Sequence, residues 1–279
     1  MNLLQSILMG TAQGLSEFLP ISSSAHLVLT SNFYKYFKGI DISVHSTEEV
    51  FLDIMLHLGT LIAVVIYFRD DIFNIIKGLY LGIKYQECQN SDFKLGIYII
   101  LGTFISTILA YFLKDIASEL VFKPQLVGFL LILTGLILLF SEYVSKRIST
   151  KKGLNLKNMI LIALAQGLAA LPGLSRSGLT IATGLFTGMT KIEAARFSFL
   201  LSIPIILGAS MIYPFLEIDL NEAIYYNWNA IIIGTLVSGF VGYLCIKYFM
   251  KFLSRFSLSV FGYYCFLVGI FTAIFFIGK

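Results

Sequence analysis

The first concentration of reactive side chains lies in the segment AQGLSEFLPISSSAHL, residues 12–27, which we call the first motif. A carboxylate such as Glu17 can hold a divalent cation or orient an attacking hydroxyl or water. An imidazole such as His26 can transfer protons or attack phosphorus itself. The serines are nucleophiles or phosphate donors, and one of them is expected to cap the helix that follows the break at Pro20. The polar members of the first motif are Gln13, Glu17, Ser22, Ser23, Ser24 and His26.

The second concentration is AQGLAALPGLSRSGLT, residues 165–180, which we call the second motif. Its glycines allow backbone N–H groups to approach a ligand, and a helix starting near Ser177 would turn its positive end toward that ligand. Arg176 offers a planar fork for phosphate oxygens, and the nearby hydroxyls can donate further hydrogen bonds. This composition predicts a phosphate cradle. Its members are Gln166, Gly173, Ser175, Arg176, Ser177, Gly178 and Thr180.

Both motifs also have a purely structural interpretation. Glu17, His26 and Arg176 would then be a buried ion pair, although such a pair needs neither the hydroxyls nor the helix breakers around it. The small residues would then serve close helix packing, which does not require an arginine. Because an ionisable side chain at membrane depth is costly, we favour a functional site.

Asp53 and His57 are four residues apart and share one face of the predicted helix that contains them. One interpretation is that they orient the reactive groups of the first motif, a supporting role that Gln13 could share within the motif. The other is that they pair only with each other. The spacing alone does not choose between the two.

The composition determines where these motifs must operate. Of 279 residues, 57% are hydrophobic and 13% are charged, and the mean hydropathy is +0.86. Soluble domains carry roughly a quarter charged residues. The net charge of +4 is mild and its basic residues lie in short clusters between apolar segments. These features exclude a soluble enzyme and argue against a nucleic-acid partner, so we predict a membrane protein surrounded by lipids.

Apolar segments of roughly 20 residues predict membrane-spanning helices. We predict six, at residues 52–68, 95–113, 125–141, 197–216, 228–246 and 256–277. Two further apolar regions, 3–30 and 159–189, are each interrupted by a proline and polar residues. We predict that each forms a helix, a break and a second helix that enters the membrane partway and returns.

The distribution of lysine and arginine predicts the orientation. Fourteen lie in segments that fall on one side of the predicted spans, and five lie on the other side. Loops rich in lysine and arginine stay in the cytoplasm, so the side with fourteen is cytoplasmic. Both termini fall on the opposite side and are predicted to be extracytoplasmic.

The two motifs align with each other, and each is followed by three predicted spans. The copies must therefore be inverted relative to one another, as in proteins whose broken helices meet at the membrane midplane. We predict an all-α polytopic membrane protein with one domain, residues 1–279. Repeat 1 covers about 1–142 and repeat 2 about 157–279.

Two segments of these motifs, EFLPISSSAHL at 17–27 and LPGLSRSGLTI at 171–181, resemble the undecaprenyl-diphosphate phosphatases, the bacitracin-resistance membrane family. The likeness continues through FSFLLSIPIILGA at 197–209 and covers essentially the whole chain. The resemblance implies hydrolysis of the terminal phosphate of undecaprenyl diphosphate in the bacterial inner membrane. That reaction regenerates the carrier lipid for peptidoglycan and other envelope polymers and confers bacitracin resistance.

The resemblance also implies roles for individual residues. Catalytic positions would be Glu17, His26, Arg176 and a serine of the run, Ser23 first. The implied phosphate-binding set is Ser22, Ser24, Ser175, Ser177, Thr180, Gly173 and Gly178. A divalent cation, usually Mg²⁺ or Ca²⁺, is implied at Glu17.

One departure from the family pattern concerns that cation. Gln13 stands where many members have a second glutamate, and Ser24-Ala25 stands where many have Thr-Gly. An amide cannot supply a second negative charge, so a site with one carboxylate is expected. A lipid flippase using the same anion site is the rival hypothesis, because inverted repeats are usual in transporters. A homodimer is left open.

Overall fold

The computed structural model describes residues 2–39, 46–86, 89–148, 153–217 and 224–276, with only the backbone described over 213–217. Within these ranges the chain forms eleven helices and no strand. In chain order the helices are α1 Leu3–Ser16, α2 Ser23–Lys38, α3 Thr47–Tyr67, α4 Arg69–Tyr85, α5 Ser91–Val121, α6 Pro124–Ser145, α7 Leu156–Leu168, α8 Arg176–Phe186, α9 Lys191–Glu217, α10 Trp228–Leu253 and α11 Ser259–Phe275.

Both predicted interruptions are confirmed. The first falls between α1 and α2, where Pro20 lacks an N–H and restricts the residue before it. The second falls between α7 and α8, at Pro172 and Gly173. The predicted serine cap is Ser22, whose hydroxyl accepts a hydrogen bond from the Ala25 N–H at the start of α2. The α7 helix has 13 residues and measures about 20 Å, too short to cross a membrane.

Five helices are long and apolar enough to cross a membrane, namely α3, α5, α6, α9 and α10. They coincide with five of the six predicted spans, and the chain is therefore a multi-pass membrane protein. The prediction for residues 256–277 is too long: α11 has 17 residues, because the segment 254–258 before it forms a turn.

One helix was absent from the predictions. Residues 69–94 hold four of the basic residues that predict the orientation, and no helix is predicted there, but α4 occupies most of that segment. Acidic residues in its first turn and Lys84 in its last turn complement the helix dipole. The helix packs on α5, with Gly78 against Asp92 and Phe93. Sequence reasoning missed α4 because its charged residues interrupt the apolar periodicity.

The helices of the two halves pack against each other. The α1 helix lies along α10, α7 lies along α5, and α6 pairs with α11. The largest buried cluster surrounds Phe18, which directly follows Glu17 and packs edge-on against Phe199 with ring centroids 5.4 Å apart. The outward faces carry exposed apolar side chains, such as Phe104 and Phe112 on α5. Packing of Phe18 in the core therefore fixes the position of the first interruption. The exposed apolar side chains on the outward faces can contact lipid.

Candidate active site

The site centres on Glu17, whose carboxylate is 6% exposed. One oxygen, Oε1, accepts a hydrogen bond from Arg176 Nη2 at 2.6 Å. The other, Oε2, accepts from the Ser23 hydroxyl at 2.7 Å and from Gln13 Nε2 at 3.0 Å. The first and second motifs therefore meet, and the contact between them is the ion pair of Glu17 with Arg176.

The first interruption determines where these groups point. Glu17 extends the end of α1, with its N–H donating to the Gln13 carbonyl, and the neighbouring Phe18 is fully buried in the core. Ser22 adopts a left-handed φ of 69°, which is rare for a residue with a side chain. This turn starts α2 in the direction that brings Ser23 to Glu17. A strained backbone of this kind is frequent at functional sites.

Arg176 stands at the first position of α8, and Ser175 caps that helix by accepting from the Gly178 N–H at 3.1 Å. Before it, Gly173 has a φ of +101°, and an added Cβ would lie 2.5 Å from the Val127 carbonyl oxygen. Thr134 of α6 donates to the Gly173 carbonyl and accepts from the Ser175 N–H. Arg176 is thus held at the positive end of a helix.

Two buried atoms of the cluster have no hydrogen-bond partner. They are the Nη1 nitrogen of Arg176, a donor, and the Oε1 oxygen of Gln13, an acceptor. Buried polar atoms are nearly always paired, so each of these two atoms is available to a water molecule or to a ligand. A donor on a guanidinium suits an anionic oxygen.

His26 does not bond to Glu17. Its Nδ1–H donates to the Ser22 carbonyl at 2.8 Å, and this acceptor fixes the proton on Nδ1 in the neutral ring. Nε2 accepts from the Tyr264 hydroxyl at 2.8 Å, and the two rings stack with centroids 5.6 Å apart. Tyr264 belongs to α11, outside both motifs, and sequence reasoning missed it because no pattern marked it.

The remaining hydroxyls are engaged with protein groups. Ser22 and Ser24 hydroxyls lie 3.2 Å apart, and the Ser177 hydroxyl donates to the Leu19 carbonyl at 2.9 Å, which ties α8 to the first interruption. Thr180 is fully buried, donates to the Arg176 carbonyl and contacts Ser198. Their assignment as phosphate ligands stays a prediction. Gln166 lies apart, against Ser106 and Leu201.

Asp53 and His57 occupy one helical face, and His57 is the member that reaches the site. His57 Nε2 lies 3.8 Å from Glu17 Oε2, and its Nδ1–H donates to the Asp53 backbone carbonyl at 2.8 Å. The Asp53 side chain has a buried Oδ1 without a partner. His57 therefore lies beside the Glu17 carboxylate, as one of the two interpretations requires.

The oxygen donors around Glu17 fit a hard divalent cation that is shared with a substrate. Mg²⁺ commonly takes one or two carboxylates and completes its shell with substrate phosphates and water. Glu17 and the unpartnered Gln13 Oε1 supply such ligands. Within the described ranges no group of three His, Cys, Asp or Glu could form a cage made of protein alone.

The chain is similar to known proteins over nearly its full length. The chain matches the family model described as "Bacitracin resistance protein BacA" over residues 6–271. It is 38% identical to the undecaprenyl-diphosphatase of Methanosphaera stadtmanae over 98% of both chains. It is also 37% identical to undecaprenyl-diphosphatase 1 of Pseudoalteromonas translucida over 97% of both chains. With the undecaprenyl-diphosphatase of Methanobrevibacter smithii it shares 39% identity over 97% of this chain and 96% of that one. Since the family model spans nearly its full length, this chain belongs to the bacitracin resistance protein BacA family.

Proposed function

We propose that this protein dephosphorylates undecaprenyl diphosphate to undecaprenyl phosphate in a cell membrane, recycling the lipid carrier for envelope polymers and conferring bacitracin resistance. Family membership and the names of relatives that match it end to end support this function. A membrane-embedded, mostly apolar chain is also suited to a substrate that carries a long prenyl tail.

The observation that carries the proposal is Arg176, held by Glu17 while its buried Nη1 has no acceptor. A terminal phosphate oxygen would satisfy that donor. Because phosphoryl transfer depends mainly on positioning and charge stabilisation, a fixed guanidinium is the most important group the protein can supply. The α8 N-terminus adds positive potential at the same place.

Glu17 serves as the proton acceptor in this proposal. The Ser23 hydroxyl already donates to Glu17 Oε2 at 2.7 Å, so the carboxylate can take a proton from Ser23 or from a water molecule in its place. Both ring nitrogens of His26 are engaged, and Nε2 is the one able to accept a proton through Tyr264. In this proposal His26 takes part in proton transfer, and the Tyr264 hydroxyl positions its Nε2 nitrogen.

We include a divalent cation, Mg²⁺ or Ca²⁺, in this proposal. Glu17 and Gln13 Oε1 would hold it together with the substrate. When bound, the ion would neutralise charge on the diphosphate oxygens. A single carboxylate is available for it, because Gln13 contributes an amide oxygen that carries no charge.

We further propose six spans and two re-entrant hairpins related as inverted repeats. The packing supports this arrangement. The first helix of repeat 1, α1, contacts α10 of repeat 2, and the first helix of repeat 2, α7, contacts α5 of repeat 1. The sixth span would be α11, which runs antiparallel to α6: Gly128 lies against Gly269, and Gly135 lies against Gly262. Both termini would be extracytoplasmic. The flippase hypothesis has no comparable support, since the relatives reported above are named as diphosphatases.

The direct test is phosphate release from undecaprenyl diphosphate by the purified chain in detergent, with Mg²⁺, Ca²⁺ or EDTA. We expect metal-dependent release, and we expect Glu17→Gln and Arg176→Ala to reduce it by about 100-fold or more, the usual cost of removing a transition-state stabiliser.

The matched control is Arg196→Ala. Arg196 also pairs with a carboxylate of another helix, Asp71, but lies outside the site. It should retain wild-type release. Normal turnover by a folded Arg176→Ala protein would contradict the proposed role of Arg176, and absence of release from the wild-type protein would contradict the proposed reaction.

A further inference from the structure

A cavity lined by polar and apolar residues lies away from the Glu17 site, at the end of the molecule where α6 ends and α9 begins. Its volume is about 580 Å³, and the connection between α10 and α11 forms its other wall. The α8 helix separates it from the active site: Arg176 begins that helix, and Gly188 of the cavity wall follows its end. Eleven helical residues measure about 17 Å.

The charges that line this cavity do not balance. Glu142 is its buried carboxylate and is fully engaged: Oε1 accepts from Lys191 Nζ at 2.8 Å, and Oε2 accepts from the Leu258 N–H at 3.3 Å. Lys191 is thereby neutralised. Lys146 and Arg255 also line the cavity, and neither has a carboxylate partner among the described residues.

Two further features indicate the kind of ligand. The hydroxyls of Ser145 and Ser257 line the cavity next to the basic groups and can donate to an anionic oxygen. Exposed apolar side chains also line the cavity: Phe256 is 56% exposed and Ile192 is 43% exposed. Lys146 and Arg255 are exposed as well, and basic groups next to apolar side chains suit an amphipathic anion.

We propose that this cavity binds a phosphate group, held by Lys146 and Arg255, and that the exposed Phe256 and Ile192 side chains contact the acyl chains of an anionic phospholipid. The cavity lies among the basic segments that are predicted to face the cytoplasm, where anionic lipids attract lysine and arginine. Phosphate oxygens match the guanidinium fork of Arg255.

The test is a binding titration of the full-length protein by native mass spectrometry, with phosphatidylglycerol and phosphatidylcholine in parallel. A second arm follows the thermal unfolding midpoint with inorganic phosphate. The variants are Lys146→Gln combined with Arg255→Gln, and the control Lys251→Gln, which lies on α10 close to the cavity wall.

We expect tighter binding of phosphatidylglycerol than of phosphatidylcholine. Each removed charge should weaken phosphatidylglycerol binding about fivefold, so the double variant should bind this lipid about 25-fold more weakly. Lys251→Gln should bind like the wild-type protein. Retained phosphatase turnover in the double variant would show that it folds.

A stabilisation by inorganic phosphate that is lost in the double variant would confirm the phosphate site with a soluble source. If the double variant binds phosphatidylglycerol and phosphate as the wild-type protein does, the proposal is wrong. Equal binding of the two lipids by the wild-type protein would overturn it as well.

Discussion

At the scale of single residues, Glu17 and Arg176 depend on each other for stability as well as for chemistry. Their ion pair spans 2.6 Å and is almost completely buried. Removing one partner leaves an uncompensated buried charge, which costs about 3 to 5 kcal/mol. We expect Arg176→Gln to lower the free energy of unfolding by that amount, measured by thermal or denaturant unfolding in detergent.

The double variant separates the two contributions of this pair. Arg176→Gln combined with Glu17→Gln leaves no unpaired charge, so most of the lost stability should return while phosphate release stays abolished. If turnover returned together with stability, the pair would be structural and the proposed roles of Glu17 and Arg176 would fail.

Tyr264 provides a second test at this scale. Tyr264→Phe removes the hydroxyl that donates to His26 Nε2 but keeps the stacked ring. We expect kcat for phosphate release to fall about tenfold, with little change in KM. A tenfold loss corresponds to the upper end of the net free energy that one hydrogen bond contributes. The control is Tyr263→Phe, whose side chain is exposed. Equal effects of the two variants would show that the hydroxyl does not position His26.

Much of this residue-level picture follows from the sequence, but not all of it. The meeting of Glu17, Ser23 and Arg176 could be predicted because each motif pairs a charge with helix-breaking residues. Tyr264 and Thr134 could not be predicted, because each acts through one hydrogen bond from a helix without a recognisable motif. The sequence predicts His26 in the same site as Glu17. In the structure its ring nitrogens bond to the Ser22 carbonyl and the Tyr264 hydroxyl and not to Glu17.

At the scale of helices, the turn before α8 sets the position of Arg176. Gly173→Ala would place a Cβ at a φ of +101° and 2.5 Å from the Val127 carbonyl oxygen. We expect the free energy of unfolding to fall by at least about 1 to 3 kcal/mol, with loss of phosphate release.

Gly153→Ala is the control for that prediction, because nothing lies within 4 Å of its added Cβ. Its unfolding free energy should stay within about 0.5 kcal/mol of the wild-type value. An unchanged Gly173→Ala protein would mean that this turn tolerates a side chain and does not fix Arg176.

Helix boundaries were predictable where hydropathy alone determines them and less so elsewhere. Five long spans and both interruptions follow from apolar length and proline position. The α4 helix depends on its packing against α5 through Gly78, and the start of α11 depends on Glu142 accepting from Leu258 N–H. Such contacts between distant segments leave no trace in a hydropathy pattern.

At the scale of the whole molecule, the number of spans determines which side each terminus faces. Six spans place both termini on the same side, whereas five would separate them. We expect extracytoplasmic reporter activity from fusions at both the N-terminus and the C-terminus, and cytoplasmic activity from a fusion that ends at Gly153. Reporters on opposite sides at the two termini would show that α11, about 26 Å long, does not cross.

The sharing of one site by two distant segments has a consequence for how the protein is made. Arg176 is synthesised 159 residues after Glu17, about 10 to 30 s later at ordinary elongation rates. During that interval Glu17 has no guanidinium partner, so the nascent first hairpin must keep contact with water or the insertion machinery. Activity therefore begins only when the second half has been inserted. Two fragments divided between α6 and α7 should be inactive alone and release phosphate when they are produced together.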